Sequence, residues 1–261
     1  MTAPDLTLNS LLTLTRRPFL LLAVTLACGS MSLTALANTL HSVGIARDSE
    51  ERIRYIEHHQ YLGSGDHVVS YYDPEMNLLL RKELSYPGLP QQPSLRQTDP
   101  VNEVEITVSS DQGRATMIRQ TPEGEETFAF ELSEQVIIDA GFDTFIRSGW
   151  DTFDTRPEQR LKLAVAGQFR LIDMEISYLG ETNGLREFTI TPRNWLVRLI
   201  IPETRLTYRA DRQLLKYQGL SNLQLDPRPG VVEISFEHLQ GDLFFPGSLV
   251  ELIATKTSMD S

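Results

Sequence analysis

Apolar and polar positions alternate with period two along most of the chain. Val104, Ile106 and Val108 alternate with Glu103, Glu105 and Thr107, and Phe128, Phe130 and Leu132 alternate with Thr127, Ala129 and Glu131. Leu78, Leu80 and Leu84 stand against Arg81, Glu83 and Ser85, and Ile172, Met174, Ile176 and Tyr178 against Asp173, Glu175 and Ser177. Successive side chains of a strand point to opposite faces, so each run predicts a strand with one face on a core and the other in water. Turn-forming residues separate the runs at 63–66, 73–77, 111–113, 122–124 and 226–230. Asn183-Gly184 is the strongest of these signals, because both central residues of a type I′ turn need positive φ. It predicts a hairpin of residues 168–180 with 185–191. Short strands joined by hairpins make an antiparallel meander rather than a parallel sheet.

One segment changes period. Between residues 139 and 153, Phe142, Phe145, Ile146, Trp150 and Phe153 fall on one arc of a helical wheel, with Asp143, Arg147, Asp151 and Asp154 on the other side. Asp139 suits the N-cap and Pro157 a chain that has left the helix. The predicted fold class is therefore mainly β: a large curved antiparallel meander or incomplete β-barrel packed around one amphipathic helix. Residues 87 to 100, with prolines at 87, 90, 93 and 100, predict an irregular surface loop.

Composition narrows the class. With 41% hydrophobic and 23% charged residues, the chain has enough apolar surface to bury a core. Its 24 basic and 35 acidic residues give a formal charge of −11, which makes neither nucleic acid nor an anionic membrane surface its natural partner. Arg16 and Arg17 precede a charge-free stretch whose densest part, 19–28, has the length of a signal-peptide core rather than a membrane span. Ala35-Leu36-Ala37 fits signal-peptidase cleavage, which predicts a leader of residues 1–37, a single β-rich domain over 38–261, and a periplasmic or otherwise exported location. Thr15 to Leu20 also resemble a twin-arginine motif, although Leu21 replaces its usual lysine, so the export route stays open between two systems. Cys28 is the only cysteine, and cleavage removes it.

Candidate chemistry is sparse. His58, His59 and His67 lie near Glu57 and Asp66, but a hairpin closed at 63–66 sets His67 about 13 Å from His58. His58 and His59 also face opposite ways, so the group reads as solvated strand histidines rather than metal ligands. Asp139/Asp143 and Asp151/Asp154 are spaced for acid–base pairs, and equally for a cap and for surface ion pairs. No nucleophile elbow, phosphate loop, dinucleotide fingerprint or zinc-protease motif occurs, and no catalytic residue, metal or cofactor is assigned.

Two blocks carry a resemblance. Ile138-Asp139-Ala140-Gly141-Phe142-Asp143, continuing through Phe145-Ile146-Arg147 to Trp150-Asp151, and Leu214 to Leu223 (LLKYQGLSNL) resemble a group of uncharacterised exported bacterial proteins. The resemblance implies export and a shared fold. The order of elements is similar to that of the periplasmic lipoprotein-carrier half-barrels, in which an incomplete barrel lidded by helices holds acyl chains. A sheet with more inward apolar positions than one helix can cover predicts a binder or carrier of an apolar ligand, an acyl chain or lipidated peptide. Phe142, Phe145, Ile146 and Trp150 would then form the wall, and Tyr217 and Asn222 polar points at a rim. The same residues also suit a filled core. A non-catalytic envelope interaction module, using a sheet edge or the 87–100 loop, and a hydrolase using the helix carboxylates are the alternatives.

Overall fold

The computed structural model describes residues 40–223 and 230–240, which belong to one unit, Ala37–Ser261. The leader, its cleavage site, Cys28 and most of the 226–230 turn lie outside the described residues. Alternation is realised as fifteen strands in a single open, curved sheet.

The first meander comprises β1 (Leu40–Arg47), β2 (Ile53–Tyr61), β3 (His67–Tyr72), β4 (Leu78–Ser85), β5 (Ser94–Asp99), β6 (Val104–Asp111), β7 (Arg114–Thr121) and β8 (Gly124–Glu131). The second comprises β9 (Val136–Ile138), β10 (Glu158–Ala164), β11 (Leu171–Thr182), β12 (Leu185–Pro192), β13 (Thr204–Arg209), β14 (Leu214–Leu220) and β15 (Val231–Gln240). β1 pairs antiparallel with β15, so the first and last described strands form the central seam, and β8 and β9 are the two ends of the ladder. The Asn183-Gly184 turn is present with both residues at positive φ, 53° and 76°, and sets Thr182 opposite Leu185.

All pairings are antiparallel except β9 with β10. A parallel pair cannot be closed by a tight turn, and the aromatic segment serves as the crossover. It is a helix α1 (Gly141–Ser148), followed by a 3₁₀ turn over Thr152–Asp154, and so is shorter than the predicted 139–153. The apolar arc persists because the 3₁₀ turn still delivers Phe153, 1% exposed, to the core. Asp139 is not the cap. Ala140 occupies that position without a side-chain bond, while Asp139 adopts φ 47° and turns its carboxylate into the interior. A second short helix, α2 (Trp195–Arg198), was not anticipated.

The 87–100 segment also departs from expectation. Residues 94–99 pair with β4 and β6 as β5, residues 87–90 are exposed as a surface loop, and Gln91 to Pro93 form a buried strap. The Gln91 carbonyl accepts the Ile138 N–H at 3.0 Å, and the Gln92 amide donates to the carbonyls of Ser133 (2.6 Å) and Val136 (2.9 Å). The strap thereby occupies the free edge of β9, which an open sheet must protect. Gly141 packs so close that a Cβ there would lie 2.3 Å from the Gln91 carbonyl oxygen. β8, the other end, is left with Glu125, Glu126 and Glu131 exposed, and such charge discourages strand addition.

Phe188 is the hub of the core below α1. Its ring lies 5.1 Å from Phe153, 5.2 Å from Tyr178, 5.7 Å from Tyr208 and 6.0 Å from Trp150.

Replacing Gln92 with alanine removes its bonds to the carbonyls of Ser133 and buried Val136, and is expected to cost about 1–3 kcal/mol in urea unfolding. Gly141→Ala forces the strap away and is expected to cost a similar ~1–3 kcal/mol through overpacking. Near-zero changes in both would show that the strap does not hold β9.

Candidate functional site

The curled sheet and α1 do not fill the space between them. A cavity of about 1270 Å³ lies where β1–β5, β10, β11, β14 and β15 face the helix. Val69, Leu80, Leu84, Met174, Ile234 and Phe236 supply much of its apolar wall. Each sits at an inward position of the alternation, so the wall follows directly from period two.

Of the residues expected to form a ligand wall, Phe142 lines the cavity. Phe145, Ile146 and Trp150 do not. They face the Phe188 core, where Ile146 is 0% and Trp150 5% exposed, and Phe145 meets Phe153 edge-on at 6.4 Å. The Arg186 guanidinium lies 4.6 Å from the Trp150 ring and closes that side. α1 thus has two apolar margins. One is packed and the other fronts the hollow, because a helix of eight residues covers only part of a sheet this wide. Tyr217 lines the cavity, but its hydroxyl is not in water. It donates to the Leu220 carbonyl at 2.8 Å, and burial pushes it up to about 12. Asn222 is exposed at the margin, and its amide reaches inward to Glu57 Oε1 at 2.8 Å.

Three polar groups interrupt the apolar lining. The first is a relay on β2 and β3. Glu57 Oε2 lies 3.1 Å from His59 Nε2, and His59 Nδ1 lies 3.0 Å from His67 Nε2. Tyr61 pairs with His67, so His59 and His67 are diagonal cross-strand neighbours on the concave face. Glu57 and His67 are buried, and His59 is nearly so, which corrects the expectation of solvated histidines. Burial pushes His67 down to about 2, assisted by the His59 and Arg147 charges. On the opposite face, His58 stacks on His41 with 3.0 Å between ring nitrogens, and burial lowers it to about 4.

The second group is an ion pair. Lys82 Nζ lies 2.6 Å from Asp139 Oδ1, with both side chains 8% exposed. Burial opposes the carboxylate form of Asp139, but the charge and hydrogen bond of Lys82 and the N–H groups of Ala166 and Ala140 outweigh it. They hold the carboxyl below the usual carboxylate range. In the third group, Asp143 accepts the Tyr208 hydroxyl at 3.0 Å and pairs with Arg147 at 3.2 Å. Asp151 and Asp154 are surface partners of Arg212 (3.5 Å) and Arg186 (3.1 Å).

Glu57, His59, His67 and Lys82 were not expected in the site. Parity carries the missed signal: Lys82 shares the face of Leu80 and Leu84, and Glu57 and His59 share that of Tyr55 and Tyr61. The relay can hold or move a proton. Among the described residues no nucleophile is bonded to it: Ser42, directly opposite His59 on β1, finds both imidazole nitrogens of His59 already engaged. Those nitrogens point to different partners, so Glu57 and His67 do not converge with His59 on one metal position. Each helix carboxylate likewise has its own cation.

No family model matches the chain, and no curated protein matches it in sequence.

Lys82→Met leaves the Asp139 carboxylate buried without its cation, and is expected to lower stability by about 3–5 kcal/mol in chemical unfolding. A loss under about 1 kcal/mol would show that water already solvates the pair.

Acid sensitivity follows from the histidines. His58, His67 and His238 all have pKa values lowered by burial, so the unfolded chain takes up protons first. Their contribution is complete above pH 6.5 and is lost as pH falls. The loss is exhausted near pH 4 for His58 and continues lower for His67. A thermal midpoint that falls steadily from pH 6.5 to pH 4 is expected. A flat profile over that window would contradict the buried, neutral histidines.

Proposed function

We propose that the protein is an exported binder or carrier of an apolar ligand, an acyl chain or lipidated peptide, housed between the concave sheet and α1. The observation that carries this reading is the cavity itself. Its 1270 Å³ exceeds the roughly 300–1,000 Å³ typical of small-molecule pockets, and its wall is mainly aliphatic and aromatic. Packed cores contain few voids larger than a water molecule, so a hollow of this size is a feature with a use. The ligand contacts are Phe142, Tyr217 and the inward residues of β3, β4, β11 and β15, with Asn222 at the margin. Phe145, Ile146 and Trp150 support the wall from behind. The leader-like sequence of residues 1–37 supports a periplasmic location.

Two alternatives receive less support. Gln91 and Gln92 of the proposed docking loop are engaged with β9, which leaves only residues 87–90 of that stretch exposed, and each of Asp139, Asp143, Asp151 and Asp154 is held in an ion pair.

Displacement of a fluorescent fatty acid tests the proposal. The wild-type protein should bind the probe saturably. Leu79→Trp and Leu163→Trp, at half-buried lining positions, should each weaken binding about tenfold or more with little change in melting temperature. Absence of saturable binding, or binding indifferent to both substitutions, would refute it. Trp150→Ala is the contrasting variant. It should cost about 3–5 kcal/mol of stability, as a core truncation does.

A further inference from the structure

The connection from β12 to β13 holds large apolar side chains out in solvent. Trp195, Leu196, Leu199 and Ile200 are 69%, 53%, 75% and 78% exposed, and they fall within six residues on and just after α2. The segment is built in this orientation. The Asn194 side chain accepts the Leu196 N–H at 2.9 Å and caps the short helix, while Val197 and Ile201 pack against the core. Isolated exposed leucines are ordinary, but a fixed cluster of four large apolar groups marks an interaction surface.

Charge identifies the partner. From Arg193 to Pro202 the sequence RNWLVRLIIP contains two arginines, both exposed, and no acidic residue. The next acid, Glu203, is paired with Arg205 at 2.9 Å. Arg198 donates its Nε–H to the Pro192 carbonyl at 2.5 Å, which fixes the plane of a guanidinium whose terminal nitrogens remain available. An indole beside aliphatic side chains, flanked by arginines, is the composition that seats in the headgroup layer of a bilayer. The overall charge of −11 opposes approach to an anionic surface, but charges more than a Debye length away, ~8 Å at physiological ionic strength, are largely screened. Exposed Asp173, whose carbonyl accepts the Arg193 N–H at 2.9 Å, has Lys162 opposite it on β10, so the two arginines govern contact.

We infer that residues 193–201 form a membrane-docking surface for bilayers carrying anionic headgroups. Trp195, Leu196, Leu199 and Ile200 enter the headgroup–acyl boundary, and Arg193 and Arg198 meet lipid phosphates. Ile200 and Ile201 also line the cavity, so the docked surface adjoins the hollow. This last point alone rests on the carrier reading, and it places ligand exchange at the membrane.

Flotation of the full chain with phosphatidylcholine vesicles, with and without phosphatidylglycerol, tests the docking. Association is expected with the phosphatidylglycerol vesicles, with a blue shift of Trp195 emission and weakening at high salt. The double variant Trp195→Ser/Leu199→Ser touches neither the cavity nor the core and should partition at least about tenfold less. Arg193→Glu/Arg198→Glu should lose the preference for phosphatidylglycerol. Lack of vesicle association, or association unchanged in both variants, overturns the proposal. Self-association that the serine variant abolishes, without vesicle binding, also overturns it in favour of a second copy of the chain. The fatty-acid probe separates the two ideas: vesicle association without probe binding refutes the carrier and leaves the docking surface standing.

Discussion

The parallel pairing of β9 with β10 constrains the rest of the molecule. The antiparallel neighbours are joined by turns or loops, or in the case of β1 and β15 by long-range pairing, but this parallel pair needs a crossover that leaves the sheet and returns. The crossover is α1 with its 3₁₀ turn, which sets an aromatic-faced segment on the concave side. Phe153, Trp150 and Ile146 then seal one half of the interior around Phe188. The eight-residue helix stops short of β1–β4, and the cavity is the part of the concave face it does not reach.

The hollow combines an apolar wall with buried charge, and the two are compatible because each ionic group has a partner. Asp139 shows how local conformation serves this end. Its left-handed backbone turns the carboxylate away from the helix start and toward Lys82, while its oxygens accept two backbone N–H groups. Aspartate tolerates that conformation better than most residues do. Glu57 has Asn222 and His59 in place of a lysine or arginine, so a single exposed amide at the margin is bonded to the most buried carboxylate of the wall.

Much of the sheet was legible because alternation and turn chemistry are local signals. The 183–184 hairpin and the inward faces of β4, β6 and β11 could be read from spacing alone. The aromatic segment was recognisable as helical, but its end was not, since a 3₁₀ turn preserves the apolar arc. The strap was misread because proline content suggests a loop, while burial of Gln91 and Gln92 depends on β9, which lies more than forty residues away. For the site, Phe142, Tyr217 and Asn222 were placed near the hollow. Parity places Glu57, His59 and Lys82 on inward faces, but which of these polar residues meet depends on strand register and on the crossover, which spacing does not encode. Which margin of α1 is packed depends on β12 and β13, and no periodicity within the helix encodes that.

The seam between β1 and β15 joins segments almost two hundred residues apart in sequence, so closing it costs the entropy of a very long loop and makes it a slow pairing to form. Until then the polypeptide consists of two separate ribbons, each with an unsatisfied border, and the chamber does not yet exist. A chaperone or protease meeting the nascent polypeptide therefore encounters those raw borders. Once zipped together, the molecule hides them in its middle and leaves only a glutamate-studded margin and a strapped one outside.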